Sequence, residues 1–213
     1  MSVLVLSEPG VGRDLSTYAR RVSRFDGDAV VRVVARGRVA GFFAETPFDA
    51  LALRAAALAE PADLDEVVEA GTLAARTVGA DAELDLPPPV PALRWTAGLP
   101  PSGGWTEVAR LSATDVSSRV AAGVAEFRDR AAPGSGGSPS RAALESLAAD
   151  VWARELAGGV PVRLAHAAES YGFLGDPATG EVVLRTAGAW HRLDAAYGSV
   201  LGRSADVLGL FVG

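Results

Sequence analysis

The 213-residue chain contains no lysine, cysteine, asparagine, glutamine or isoleucine, so all twenty of its basic residues are arginine. Without cysteine it has no thiol nucleophile, no thiolate metal ligand and no disulfide. Without lysine it cannot form a Schiff base, and the lysine-containing P-loop is excluded. Its two histidines are too few for a histidine-rich zinc site, although two histidines and a carboxylate would suffice for three ligands. We predict no metal and no cofactor.

Features that direct a protein to a membrane are also missing from the sequence. The N-terminal residues MSVLVLSE have no basic region and too short an apolar run for a signal peptide. No stretch approaches the roughly 18 consecutive apolar residues that a membrane span requires. We therefore expect a cytoplasmic protein without membrane contacts. The bias toward alanine, valine, leucine, glycine and arginine indicates a GC-rich genome, such as an actinobacterial one.

The net charge of −6 is spread unevenly along the chain. Residues 1–58 carry eight arginines against six acids, whereas residues 59–90 carry eight acids against Arg76 alone. The acidic balance argues against a nucleic-acid footprint over the whole protein, but it leaves room for a local basic surface.

The N-terminal region predicts a strand, a helix and a run of further strands. Residues 3–6 are apolar, and Asp14 is a suitable N-cap for a helix that ends near Phe25. Residues 29–44 are rich in valine and phenylalanine around Arg36 and Gly37, which predicts a hairpin with its turn at that point.

A second strand and helix begin near Trp105. Residues 105–111 alternate as a strand does, and Ser112 with Asp115 forms a capping-box start for a helix to about Ala131. The order of strand, capped helix and further strands in residues 1–78 and 105–131 resembles the repeating unit of DNA sliding clamps. That resemblance implies a fold with pseudo-repeated units.

The glycine-rich segment 132–138 is typical of a linker. Two helical segments follow it, and residues 181–193 then predict a hairpin with its turn at Ala187 and Gly188. We predict an α+β protein, in which a mixed helix and antiparallel-sheet region at 1–131 precedes a small helix-helix-β-hairpin unit at 138–213.

The C-terminal residues 207–212 are apolar at a chain end, where polar residues are more common. We expect this tail to dock as a strand on this chain or on a second copy, which predicts a homo-oligomer.

The segment from 140 to 193 resembles a winged helix–turn–helix, with its second helix at 161–174 and a hairpin as the wing. That resemblance implies DNA binding through the second helix. The outward residues predicted there are Arg163, His166, Glu169 and Ser170. One arginine, one acid and no amide side chain form a poor surface for reading bases.

A further pattern resembles an uncharacterised protein family of high-GC actinobacteria. It runs from Trp152 and Arg154, through Arg163 and His166, to the sequence GFL at 172–174. The resemblance implies no activity, ligand or catalytic residue.

Both histidines are followed by a carboxylate at the same spacing. Glu169 and Asp194 follow His166 and His191 by three residues, and either carboxylate could orient an imidazole for general-base catalysis. Packing or solvated histidines are the commoner case. No catalytic residue is assigned, and the ligand-binding candidates are Arg163, His166, His191 and Arg192.

Two other features were compared with phosphate sites, but an ordinary turn is favoured for the first and ordinary surface charge for much of the second. Gly10 and Gly12 stand between a predicted strand and a predicted helix, which is the place of a phosphate loop, although the rest of the dinucleotide pattern is absent. Acids at positions 14, 26 and 28 dilute a basic surface in the N-terminal region, whose arginines are Arg13, Arg20, Arg21, Arg24, Arg32, Arg36 and Arg38.

The leading hypothesis is a non-catalytic cytoplasmic binding or assembly protein, because no complete catalytic arrangement is recognisable. A winged-helix-like nucleic-acid-binding protein and a phosphate-handling or hydrolytic enzyme remain as alternatives. Whether the protein is an enzyme stays open, and a non-enzyme is favoured.

Overall fold

The computed structural model describes residues 2–76, 82–132 and 139–204. The chain divides into two compact units, Met1–Pro100 and Pro101–Gly213. The sequence placed the division at residues 131–138 instead, and most of that linker and the apolar tail at 207–212 lie outside the described residues. Among the described residues, no helix has both the length and the apolar character that crossing a membrane requires.

The first unit consists of a long hairpin, a helix packed beside it and short peripheral elements. Its strands β1 and β4 pair antiparallel, and so do β2 and β3. The elements are β1 (Val3–Val5), α1 (Pro9–Phe25), β2 (Val30–Thr46), β3 (Ala50–Glu69), α2 (Ala70–Ala74), β4 (Glu83–Asp85) and a 3-10 turn (Ala92–Arg94).

The predicted hairpin turn at Arg36 and Gly37 is wrong. β2 continues through both residues, and the chain reverses only between Thr46 and Ala50. Gly37 has a φ of 59° and lies at a shift of the β2–β3 register, so its left-handed backbone produces a bulge instead of a turn. At the true turn, the Thr46 hydroxyl donates to the carbonyl of Ala50 over 2.8 Å.

Helix α1 begins earlier than predicted. It starts at Pro9 with Glu8 as N-cap, so Asp14 lies within the helix and its carboxylate accepts a hydrogen bond from Arg54 at 2.7 Å. Proline suits this first position because its missing N–H would have no partner there. The predicted end at Phe25 is confirmed. The buried face of α1 consists of Gly12, Leu15, Tyr18, Ala19 and Val22.

The second unit has an antiparallel four-stranded order, β10-β9-β8-β5, together with three helices and a small β6–β7 pair in its described residues. Its elements are β5 (Thr106–Ser112), α3 (Ala113–Ala131), α4 (Arg141–Trp152), β6 (Glu155–Ala157), β7 (Val160–Pro161), α5 (Val162–Ser170), β8 (Glu181–Ala187), β9 (Trp190–Ala195) and β10 (Gly198–Arg203).

Several local predictions for this unit are confirmed. The Ser112 hydroxyl accepts a hydrogen bond from the N–H of Asp115 at 3.0 Å, and α3 starts at the next residue. The hairpin turn between β8 and β9 lies within one residue of its predicted place, at Gly188 and Ala189, since Ala187 pairs with Trp190. Leu164 of α5 and Tyr171 just after it are fully buried, as their spacing predicted.

The separate helix-helix-β-hairpin unit predicted for 138–213 is not confirmed. The hairpin β8–β9 is not an independent wing, because β8 also pairs with β5, which lies before residue 138. The first helix of the predicted pair spans only Arg141–Trp152, and the second only Val162–Ser170. The α+β class with antiparallel strands is confirmed.

An arginine–carboxylate network joins α3 to α4. Glu126 accepts hydrogen bonds from Arg154 at 2.5 and 2.8 Å and from Arg130 at 2.9 Å. Arg130 also donates to Asp150 at 2.7 Å. These bonds, above all those from Arg154, lower the pKa of Glu126 to about 2. Bonds from Arg130 lower the pKa of Asp150 as well, so both carboxylates stay charged below the usual pH range of an acid side chain.

Gly198 lies at the start of β10, where the ring of the buried Phe173 leaves no room for a side chain. A Cβ atom at this position would stand 2.7 Å from Cε1 of Phe173. Gly71 in α2 is the matched case with space, because no atom lies within 4 Å of a Cβ placed there.

We predict that Gly198→Ala lowers the free energy of unfolding by about 1–3 kcal/mol, because a buried aromatic ring must shift to relieve the overlap. Gly71→Ala should instead be neutral or stabilise by up to about 1 kcal/mol, since alanine restricts the unfolded chain and favours helix. Urea unfolding followed by circular dichroism measures both values. Equal stabilities for the two variants would contradict the packing described for Phe173.

Candidate functional site

The predicted ligand residue His166 packs against an aromatic ring. Its imidazole stacks on the indole of Trp152, with ring centroids 4.2 Å apart and an interplanar angle of 18°. Burial lowers the pKa of His166, because the partly apolar surroundings disfavour the charged imidazolium. The histidine thus joins α5 to α4, and it does not form the outward reading surface that a winged helix would need.

Arg163 lies one turn before His166 on α5 and also makes a structural contact. Its Nη2 donates to the backbone carbonyl of Arg203 at 2.6 Å. That bond ties α5 to the end of β10, while the Arg203 guanidinium itself lies 5.1 Å from the ring centroid of Trp190.

His191 and Arg192 are neighbours on β9, so their side chains point to opposite faces of the sheet. His191 shares its face with Leu193, which is fully buried. Arg192 lies on the other face, where its Nε donates to Asp194 at 2.6 Å and its guanidinium is 5.6 Å from the ring centroid of Trp105. The fold therefore separates these two candidates.

Asp194 is a packed carboxylate and does not orient His191. It accepts hydrogen bonds from Arg185, from Arg192 and, at 2.5 Å, from the Ser199 hydroxyl. An odd spacing along the strand places Asp194 on the face opposite His191. The predicted pairing of that imidazole with Asp194 is therefore not formed.

Gly10 and Gly12 form neither the ordinary turn that the sequence favoured nor the alternative phosphate loop. Both glycines lie within the first turns of α1, and Gly12 is buried. Glu8 occupies the N-cap position, where its carboxylate opposes an anion at the helix end.

Six of the seven arginines named for the N-terminal region fall into two groups, and Arg21 belongs to neither. Members of the first group are neutralised by acids or bound to backbone. Arg32 makes a bidentate pair with Asp65 at 2.8 and 2.9 Å, and hydrogen bonds from Arg32 lower the pKa of that carboxyl. Arg36 pairs with Asp63 at 2.6 Å, and Arg38 donates to the carbonyl of Ala59.

The second group lines the exposed face of α1. Arg13, Arg20 and Arg24 stand at positions i, i+7 and i+11, which places them within roughly 40° of one another around the helix axis. All three are exposed and lie opposite the buried face that contains Leu15 and Val22. We call these three residues the α1 arginine stripe. It extends about 16 Å along the helix.

No acid within residues 2–76, 82–132 and 139–204 forms a salt bridge with the α1 arginine stripe. Arg20 donates to the hydroxyl of Ser16 at 3.3 Å. Because a hydroxyl is neutral, this bond does not neutralise the charge of Arg20. Asp14, the acid within the helix, forms a salt bridge with Arg54. The sequence had grouped these arginines with Arg32, and only their spacing along α1 could have singled them out.

The whole chain has the fold of bacterial sliding clamps. It superposes on the DNA polymerase sliding clamp from Caulobacter crescentus with a TM-score of 0.51 and 13% identity, covering 100% of this chain and 69% of that one. DNA polymerase III subunit beta from Borrelia burgdorferi, in complex with a natural product, gives 0.51 and 7% identity, with 100% and 68% covered. The fold resemblance predicted from element order is confirmed.

The Pseudomonas aeruginosa DNA polymerase III subunit beta gives a TM-score of 0.50 at 12% identity and covers 92% of this chain. This chain spans 63% of that subunit's length, less than two thirds. Residues 100–207 match the domain of unknown function DUF8185, and the chain belongs to that family. Residues 1–97 match a second domain of unknown function, DUF8010. No curated protein matches the chain.

We predict that stability falls as the pH drops below about 6.5, the pKa of an unfolded histidine, because the unfolded chain then binds a proton that folded His166 resists. The loss continues down to the lowered pKa of folded His166. His166→Phe keeps a stacked ring without a titrating group, so its urea midpoint should vary less between pH 6.5 and pH 5, measured by tryptophan fluorescence.

The control is His191→Phe, which removes the other histidine and should keep the His166 contribution to the pH dependence. If His166→Phe retains the full pH dependence of the unaltered protein, the buried histidine is not its source.

Proposed function

We propose that this protein is a non-catalytic binding protein whose partner is a nucleic acid, bound through its phosphates by the α1 arginine stripe. The observation that carries the proposal is the stripe itself. Arg13, Arg20 and Arg24 are exposed on one helix face and form no salt bridge with the described part of the chain.

Arginine suits such a role because its planar guanidinium donates two parallel hydrogen bonds to phosphate oxygens. The three guanidinium groups repeat along α1 at helix rises of about 10 and 6 Å, as contacts to a chain of phosphates require. The net charge of −6 opposes an anionic ligand at long range, so binding depends on the local positive charge of the stripe and on low salt.

The fold gives independent support to the proposal. Solved chains with this fold are named as DNA polymerase sliding clamps and DNA polymerase III beta subunits. At 7–13% identity the likeness concerns the fold alone. It is nevertheless consistent with a chain that binds and assembles, and the arginine stripe supplies a surface of this chain's own for doing so.

The arrangement of the predicted chemical residues favours a non-catalytic role. Asp194 is engaged by two arginines and a serine on the sheet face opposite His191. His166 is stacked on Trp152. These side chains serve packing, whereas the exposed guanidinium groups of α1 are placed to meet a ligand.

The test is a salt series of binding to fluorescently labelled DNA, followed by anisotropy. We expect the Arg13→Ala, Arg20→Ala and Arg24→Ala triple variant to weaken binding at low salt. Its plot of log affinity against log salt should be shallower by about 3, because each phosphate contact contributes a slope of about 1.

A charge-matched control removes three exposed arginines of the second unit: Arg110, Arg128 and Arg141. It should bind as the unaltered protein does. If both triple variants lose equal affinity, the binding reflects total charge, and if the unaltered protein does not bind at low salt, the proposal fails.

We also propose self-association, for which β2 offers a specific surface. Within the described residues β2 has its ladder with β3 on one side, and Val39 of β2 is 57% exposed. A strand edge of this kind is a site for pairing with another chain. Association through the tail at 207–212 stays a prediction.

Light scattering of the full chain tests this second proposal. An oligomer is expected, and Val39→Glu should raise its dissociation constant, because a carboxylate would be placed at the strand edge. Leu93→Glu is the matched control, since Leu93 is 82% exposed in the same unit but lies outside the strands. A monomer at all concentrations would refute self-association. An oligomer insensitive to Val39→Glu would exclude the β2 edge.

A further inference from the structure

An exposed aromatic side chain lies at the C-terminal end of α1, about 100° around the helix axis from Arg24 of the α1 arginine stripe. Phe25, the last residue of α1, directly follows Arg24, and its side chain is 47% exposed. Arg21 lies one turn earlier on the same side of the helix, because residues four apart are neighbours on a helix surface. Cationic and aromatic groups therefore occur together at the C-terminal end of α1.

A second aromatic ring packs against Phe25. Phe48, from the turn between β2 and β3, meets it edge to face, with ring centroids 6.1 Å apart and an interplanar angle of 80°. The turn is itself ordered, since the N–H of Phe48 donates to the Thr46 hydroxyl at 3.3 Å. The half-exposed ring of Phe25 thus packs against a neighbouring aromatic ring.

We infer that this surface binds single-stranded nucleic acid, with the α1 arginine stripe on the phosphates and the ring of Phe25 stacked on a base. The inference rests on the proposed function and names its partner more closely. In a duplex the base faces are covered by neighbouring base pairs, and only edges are reached through the grooves. An unpaired base exposes its face, and stacking on aromatic side chains is a general way of binding single strands.

The surroundings of Phe25 limit the path of the strand. Asp26 ends the helix and accepts a hydrogen bond from the N–H of Asp28 at 2.9 Å through its carboxylate. These two acids repel phosphates beyond the helix end. The phosphates therefore follow the stripe from Arg13 to Arg24, and the strand leaves α1 beside Phe25 instead of continuing past Asp26.

The test uses three labelled probes in the same low-salt buffer: a short oligothymidylate, the same phosphate chain with abasic residues, and a duplex of equal length. We expect the oligothymidylate to bind about fivefold or more tightly than the abasic chain, since one stacked base contributes at least that factor. Phe25→Ala should remove this difference and leave binding of the abasic chain and the duplex unchanged.

Two further variants separate stacking from loss of folding. Phe25→Trp keeps a stacking ring and should retain or strengthen the preference for oligothymidylate. Leu93→Ala removes another exposed apolar side chain of the same unit and should change nothing. Circular dichroism spectra establish that each variant is folded.

The results distinguish this inference from the proposed function. If all three probes bind equally and Phe25→Ala has no effect, while the arginine triple variant still loses affinity, the base-stacking inference is overturned and phosphate binding stands. Tighter binding of the duplex than of the single strand would also overturn it. If no probe binds, both proposals fail together.

Discussion

Pairing between guanidinium and carboxylate groups is the interaction on which the surface of this protein depends. Arginine is the only cationic side chain of the sequence, and acids outnumber it by 26 to 20. Whether an arginine contributes to a basic surface therefore depends on whether a carboxylate lies close enough to pair with it. Asp65 neutralises Arg32 and Asp63 neutralises Arg36 across the β2–β3 ladder. Asp14 forms a salt bridge with Arg54. The arginines that remain exposed on α1 lie on one face of the helix, at positions i, i+7 and i+11.

Packing of α1 decides which way that surface faces. The hydroxyl of Tyr18 donates to the carbonyl of Ala52 at 3.0 Å, and Leu15 and Val22 are buried beside it. Because these residues occupy one face of the helix, residues 13, 20 and 24 must lie on the opposite one. The same apolar contacts that stabilise the first unit therefore expose the α1 arginine stripe. The second unit uses its arginines differently, since those around Glu126 and Asp194 hold helices and strands together.

Local features of the fold were predictable where a few adjacent residues decide them. The capping box at Ser112, the buried side of α5 and the turn between β8 and β9 were all predicted from neighbouring residues and are confirmed. The turn assigned to Gly37 was wrong, because a glycine with positive φ serves a bulge as well as a turn, and only the partner strand distinguishes them. The α1 arginine stripe was not predicted as a separate site. The sequence instead proposed His166, His191 and Arg192 as ligand residues, on the basis of their residue types.

The sequence by itself determined the α+β class, the ends of several helices and strands, and the absence of thiol and lysine chemistry, because composition and periodicity act over a few residues. Only the tertiary structure decided which charges remain available. Asp14 and Arg54 are 40 positions apart, and Arg32 and Asp65 are 33 apart, so their pairing depends on how β2, β3 and α1 pack. Salt bridges between distant residues leave no periodic signal in a single sequence. For that reason only the folded chain shows that the arginines of the α1 arginine stripe form no salt bridge with the described residues.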